Sequence, residues 1–516
     1  MIISLSVLVI TIIVSGTYAL YKAQLSKNIG VNTTTHGLAY YINYVKGTDI
    51  TAATLNPSTS YEGGASSDIE FWKKDDSYDI YGKIELTVNT IGTNLSNSPA
   101  LKYAVVNNGN VLKEGSLKGT TSGSKVTILK NLYLEQTKQI YTVYVWLDNS
   151  EELGNISNES LSISVDCTAS LQKEPTAADT IISLYTSAAK VTATNNSITY
   201  NTAPSVSLMN DRLGGTTTDL DGGNIRYYGA NPNNYIYFNC SDYSNQTSST
   251  CETWRIIGVF DGKLKLIKGS QIGTYSWDNK NTSTGAENNS GKNDWTTARL
   301  MKLLNPVDYY INDNNDKDSE GNYLGYSLYY NSTSGKCYSG KNNATVDCDF
   351  TSTGIKNDET RNMIAETTYN LGGWNTFTVY PNEIYEYERG TTVYTGRLPT
   401  WTGKIALAYP SDYGYAADLN QCVNKQLNKY NDSTCTSNNW MKSIITNNGS
   451  NDGWLLTPHS NYSYIAWGVI LSGIMGGNHA YYSSYGSAPV LYLSSELGIE
   501  SGVGDGSSSN PYKLSA

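Results

Sequence analysis

Histidine is nearly absent, with three residues in 516, at positions 36, 459 and 479. A Ser-His-Asp triad or a His-based metal site would have to use His459 or His479, and neither a GxSxG elbow nor an HExxH pair accompanies them. No catalytic residue is assigned, and an enzyme is not expected. Charge is sparse too, at 16% of residues, and no Lys/Arg cluster interrupts a net charge of −10. Nothing here would neutralise phosphates, which argues against a nucleic-acid partner. CxxC knuckles are missing, so the seven cysteines do not read as a zinc site. No metal and no cofactor are expected. Two acidic loops come nearest to a cation site. Residues 316–321 begin like a calcium loop, but Ser327 stands at the twelfth position, where a bidentate Glu is wanted. Residues 219–224 have the same character, and both read as solvated loops.

What is present is Tyr (43), Gly (46) and a great deal of Asn, Ser and Thr, in a chain too long for one ordinary core. Six cysteines form three sequence-local pairs, Cys240 with Cys251, Cys337 with Cys348 and Cys422 with Cys435, each enclosing a polar segment. The pattern predicts three disulfide-closed loops, each stabilising by about 3 kcal/mol through loop entropy. Cytosolic chains rarely carry such pairs, so an oxidising, extracytoplasmic location follows. Cys167 is left over, as a buried strand thiol or an intermolecular link.

Residues 1–21 contain no charge and nearly suffice to span a bilayer. The short apolar core and the Thr17-Tyr18-Ala19 stretch suit a signal peptide, while a retained membrane anchor helix stays open. Lys22 and Lys27 follow the apolar run and argue against export by the positive-inside rule. The cysteine pairs outweigh them.

Between residues 37 and 170, alternating segments such as KIELTV and IYTVYVWL, separated by Gly/Asn/Ser turns, predict an all-β sandwich. Strands are expected near 38–44, 68–73, 79–90, 101–106, 125–129, 140–147 and 161–167. Asn108-Gly109 marks a tight hairpin. The leader ending in Ser15-Gly16-Thr17-Tyr18-Ala19, followed by such a sandwich, resembles the camelysin and biofilm-matrix fibre proteins of Gram-positive bacteria. Leu20-Tyr21-Lys22 replaces their usual aromatic continuation. The resemblance implies architecture and surface location only.

Residues 171–190 hold the clearest helical period, with Ala178, Ile181, Ile182, Tyr185 and Ala189 on one stripe and Pro175 near its start. They are expected to form a helical spacer. Residues 191–516 read as one α+β domain. Its strongest local signal is Trp254–Phe260, Asp261-Gly262 and Lys263–Ile267, a hairpin whose Asp-Gly supplies the two positive φ angles of a two-residue turn. Helices are expected at 295–304, 360–369 and 440–445, and a strand at 404–407.

The WRIIGVFDGKLKLI hairpin, the segment after Trp295, the closing W-L-L-T-P at 454–458, Trp467 with Gly473, and Ala488-Pro489-Val490-Leu491-Tyr492-Leu493 together resemble the C-type lectin-like fold. The resemblance is to its bacterial branch, shared with formylglycine-generating-enzyme-like domains and the variable proteins of diversity-generating retroelements. It spans roughly residues 230–516 and implies that the last strands carry ligand-facing positions. The Glu-Pro-Asn and Gln-Pro-Asp motifs of calcium-dependent lectins are missing, and no cysteine follows Cys435 to serve as the pair a formylglycine-generating enzyme needs.

Within residues 454–493 an apolar frame is interleaved with His459, Asn461, Tyr462, Ser463, Gly468, Ile470, Ile474, Met475, Asn478, His479, Tyr482 and Ser483. Those twelve are expected to point outward as a ligand-binding surface, because Tyr, Ser, Asn and Gly combine rigid amphipathic rings with adaptable hydrogen bonding. The same residue types recur along the whole chain, so a merely solvated sheet is the competing reading. The expected function is a surface-displayed adhesin- or receptor-like protein binding a protein or glycan ligand. A structural fibre or matrix subunit is the alternative, and a formylglycine-generating-type enzyme ranks last.

Overall fold

The computed structural model describes residues 23–24, 41–51, 55–151, 153, 155–156, 158–213, 223–279, 290–310, 324–338, 345–500 and 502–515. The apolar leader, His36, the 316–321 loop and most of the 219–224 loop lie outside them. Among the described residues no helix is long and apolar enough to cross a membrane. The chain is mostly β and divides between Glu174 and Pro175 into two compact units.

The first unit is a two-sheet β-sandwich. One sheet orders Ile42–Val45, Ala65–Lys73, Ile140–Asp148, Leu101–Asn107 and Asn110–Ser116. The other contains Leu161–Ser170, Tyr81–Ile91 and Lys125–Tyr133. Alternation puts Ile69, Phe71, Val105, Val143 and Val145 of the first sheet, and Ile84, Leu86, Val88, Ile163 and Val165 of the second, into one shared core. Asn108 and Gly109 adopt φ of 49° and 77° and join Asn107 to its partner Asn110, the geometry a two-residue turn requires. Cys167 is buried and unbridged within this core, and burial first, then Asp166 and Glu85, pushes its thiol pKa well up.

The second unit is built on a nine-stranded sheet running Val191–Asn195, Ile198–Ala203, Leu208–Asn210, Ile225–Tyr227, Glu252–Phe260, Lys263–Lys268, Val490–Tyr492 and Ile405–Ala406, with Tyr235–Phe238 also pairing Glu252–Phe260. The central hairpin turns where the sequence places it: Phe260 pairs Lys263 across Asp261 (φ 49°) and Gly262 (φ 72°). Near the end of the chain, Val490–Tyr492 inserts between Lys263–Lys268 and Ile405–Ala406. Tyr512 then bonds to both Tyr235 and Tyr237 through backbone groups at 2.9 Å.

Three expected helices differ in the structure. The Ala177–Ser187 helix is no spacer, since Ala177, Ala178, Ile181 and Tyr185 are buried in the second unit's core. Its Thr176/Asp179 capping box fixes its start, and its apolar stripe is what the sheet covers. The segment at 360–369 is helical only over Asp358–Met363. It then becomes the Thr367–Asn370 strand, where β-branched Thr368 meets Thr402 of the partner strand at 3.0 Å. The segment at 295–304 is likewise split, into a turn at Trp295–Thr297 and a helix at Arg299–Leu304. Three cystines, Cys240–Cys251, Cys337–Cys348 and Cys422–Cys435, close loops of the second unit.

Candidate functional site

The closing stretch forms a separate three-stranded sheet, Gly453–Pro458, Ile465–Val469 and Met475–His479. Its rigidity comes from tryptophan. Trp454 stacks on Tyr485 at 4.2 Å and donates its indole N–H to the Tyr275 carbonyl at 2.8 Å. Trp467 meets Phe377 at 4.7 Å. Both indoles are buried, as is Trp277, which donates to the Leu455 carbonyl.

The small sheet is covered on both faces, and this overturns part of the outward set. Ile465, Trp467 and Val469 share one face with their partners His479, Gly477 and Met475. Phe377 covers that face so closely that a Cβ at Gly477 would lie 2.6 Å from its ring. The opposite face carries Gly468, where a Cβ would stand 2.7 Å from the Gly453 carbonyl and 2.8 Å from the Tyr485 ring. Gly468 is thus required for close packing and is not an open recognition position. Met475 is 1% exposed and belongs to the core. His459 and Ser463, each 3% exposed, also point inward. Strand alternation misplaces Gly468 and Met475 because it presumes one wet face, whereas His459 and Ser463 lie outside the strands, on backbone that Asn293 anchors from beneath.

Exposure is concentrated instead in three turns. The first holds Asn461 and Tyr462, the second Ile470 through Ile474, and the third Tyr481 through Ser484. Asn293 fixes the first turn from beneath: its amide NH2 donates to the carbonyls of His459 (3.0 Å), Tyr462 (2.7 Å) and Ile465 (2.9 Å), and its backbone N–H donates to Ser463. The Asn461 N–H donates to His459 Nδ1 at 3.2 Å, which requires a neutral ring nitrogen there. Burial accordingly pulls the His459 pKa below its ordinary value. The second turn is tied by the Leu471 N–H to Asp452 and by the Tyr413 hydroxyl to the Gly473 carbonyl at 2.6 Å. The third is tied by Ala480 N–H to the Tyr464 carbonyl and by the Ser276 hydroxyl to the Tyr481 carbonyl.

These anchored turns bring aromatic rings into one continuous run. Centroids are 5.7 Å apart for Phe377 and His459, 4.9 Å for His459 and Tyr462, 5.9 Å for Tyr462 and Tyr464, and 4.8 Å for Tyr464 and His479. From His479 the run continues to Tyr481 and Tyr482, which stack at 5.1 Å. Tyr462 is 48% exposed and Tyr482 39%, while Tyr464, His479 and Tyr481 are half-buried. Asn478 and Ser483 are half-buried beside them, and Ile470, Ile474 and exposed Leu471 form an apolar patch on the second turn. Tyr464, Tyr481, Leu471 and Phe377 were not among the expected positions. The alternation of Tyr462 with Tyr464 and the Tyr481-Tyr482 doublet were the available signals.

A second feature escapes sequence reasoning entirely. Arg226, buried in the main sheet, donates through Nε to Asp211 at 2.6 Å and through Nη1 to Asp412 at 3.0 Å. Lys265 pairs with the other oxygen of Asp412, which also accepts the Tyr409 N–H at 2.9 Å. Burial would raise the Asp412 carboxyl, but Lys265 and Arg226 hold it below the usual carboxylate range. Burial pulls Lys265 down to about 8 against the attraction of Asp412. Glu388 alongside accepts from the Ser411 N–H and hydroxyl and from Arg389, and burial pushes it up to about 7. The cluster holds the Pro381–Glu388 and Pro410–Tyr415 helices on the sheet, and Asp211, Arg226, Lys265, Glu388 and Asp412 are all buried within it.

Among the described residues no three His, Cys, Asp or Glu side chains gather as metal ligands do. The chain matches no family model and no curated protein.

Proposed function

We propose that this chain is a surface-displayed binding protein whose second unit, of C-type lectin-like type, presents the turns around Tyr462 and Tyr482 to a protein or glycan ligand. The observation that carries the reading is the run of partly exposed rings from Tyr462 to Tyr482, held by buried tryptophans and by Asn293. Rings fixed in this way lose little conformational freedom on binding, which is why Tyr dominates recognition surfaces. The Tyr462 and Tyr482 side chains sit on turns, where substitution leaves the core intact, and His479 ends the strand between them. Three cystines support an extracytoplasmic location. Membrane attachment through residues 1–21, if they are retained, would display the second unit at the cell surface.

The test is to pass the full-length protein over arrays of surface glycans and surface proteins beside a Tyr462→Ala/Tyr482→Ala variant. A ligand retained by the parent should be held at least about tenfold more weakly by the variant, as expected for aromatic hot spots. Ligands retained equally by both would remove the aromatic face from the account.

A further inference from the structure

A different part of the second unit carries a charge arrangement that the aromatic face does not use. The Glu252–Phe260 strand, its neighbours Tyr235–Phe238 and Lys263–Lys268, and the Trp440–Ile445 helix border an open cavity of about 480 Å³. That volume lies within the range of small-molecule sites, roughly 300–1,000 Å³. Arg255 and Lys268 form part of its wall, and both are buried.

The two cations differ in their partners. Lys268 pairs with Glu252, whose carboxylate also accepts the Trp254 indole N–H at 3.0 Å. The Arg255 guanidinium lies over the Tyr235 ring at 3.7 Å and the Trp440 ring at 4.9 Å. Its Nε donates to the Asn234 side-chain oxygen and its Nη2 to the Pro232 carbonyl at 3.3 Å. These partners are neutral, and among the described residues no carboxylate pairs with it. Lys356 adds a further positive charge close enough to act on Lys268. The wall itself thus sets one carboxylate, Glu252, against two cations, Arg255 and Lys268, in a chain whose net charge is −10. A desolvated guanidinium without a countercharge gains more than any exposed one from a planar anion, which it can grip with two parallel N–H bonds.

The rim has a second chemistry. Thr253, Ser270 and Ser443 are exposed and line the opening, and the Tyr235 ring is half-exposed beside them. Hydroxyls that donate and accept, next to an aromatic face and above a cation, match a ring bearing both a carboxylate and several hydroxyl groups.

We propose that this cavity is a second binding site, separate from the aromatic face, and that it takes an acidic sugar, with the carboxylate on Arg255 and the sugar hydroxyls on the Thr253, Ser270 and Ser443 rim. It shares no residue with the Tyr462–Tyr482 run, so it stands or falls independently of that reading.

The test uses the full chain with D-glucuronate as probe and D-glucose, acetate and sulfate as comparators, followed by titration calorimetry and ligand-observed NMR. Saturable binding of glucuronate, with glucose, acetate and sulfate each at least tenfold weaker, is the expected result. Thr253→Glu places a carboxylate at the exposed rim without entering the core. It should melt like the parent and bind glucuronate at least tenfold more weakly, and Arg255→Gln should lose binding altogether. Acetate or sulfate binding as tightly as glucuronate would overturn the sugar assignment. Absence of saturable binding, or glucuronate binding undiminished in Thr253→Glu, would overturn the site.

Discussion

Asp412 offers the sharpest energetic test of how the second unit is held together. Its two oxygens accept from Arg226, Lys265 and the Tyr409 N–H, all within a fully buried site. Asp412→Asn keeps the volume and one acceptor, but turns an NH2 group toward a donor and strands the Lys265 ammonium. Breaking a buried pair in this way costs about 3–5 kcal/mol. The loss should depend on pH with a definite sign. Lys265 has a folded pKa of about 8, below its ordinary 10.5. Without Asp412 that folded pKa falls further, so the variant folds with a neutral Lys265 at lower pH than the parent does. The destabilisation is therefore largest near pH 6 and shrinks as pH rises toward 8. Removing the stranded charge as well, in Asp412→Asn/Lys265→Met, should recover at least half of the loss, since apolar replacement of buried ions is often close to neutral. Urea unfolding followed by tryptophan fluorescence, at pH 6 and 8 and without reductant, measures these two variants beside the parent and the Lys265→Met single variant that completes the cycle. A single-variant loss below about 1 kcal/mol, or a double variant that is simply additive, would refute the view that these charges depend on one another.

Met475→Ala should destabilise by about 2–5 kcal/mol, whereas Asn461→Ala on the adjacent turn should stay within about 0.5 kcal/mol; denaturant midpoints compare them. Peptide mapping without reduction should recover the loops 240–251, 337–348 and 422–435 as linked pairs, and free thiols at these positions in exported protein would contradict both pairing and compartment. Limited proteolysis should release a stable fragment beginning near residue 175, while a fragment cut after residue 190 should melt lower because it has lost the Ala177–Ser187 helix.

The sandwich strands and both Asx-Gly hairpins were legible because their signals are local: period-two alternation, and a residue pair that tolerates positive φ. Cysteine pairing was legible for the same reason, each partner lying 11 or 13 residues away. The closing stretch was legible only in outline. Its frame residues Trp454, Trp467, Val490 and Leu491 are buried as expected. Its outward set was half obscured, because Phe377 covers one face of the strands and Tyr485 the other, and Phe377 lies far upstream in sequence. Met475 and Gly468 therefore look like surface residues until the sheet acquires its second cover. The Arg226–Asp412 cluster gave no signal at all, since its members lie 186 residues apart and neither charge sits in a recognisable motif. Arg255 was hidden differently. It lies within the hairpin strand, and the Tyr235 and Trp440 rings that pack on its guanidinium come from other elements.

In the proposed function, the rings on the turns recognise a ligand while the tryptophans beneath them hold the fold. The most direct measurement takes one ligand retained by the full-length parent and records both melting temperature and affinity for single alanine variants at Tyr462, His479, Tyr481, Tyr482 and Trp467. Tyr462→Ala and Tyr482→Ala should melt within a degree or two of the parent and lose about tenfold or more in affinity, and Trp467→Ala should unfold at much lower temperature. If the tyrosine variants instead melt far below the parent, or melt normally and bind as well as it does, the aromatic face is not a recognition surface.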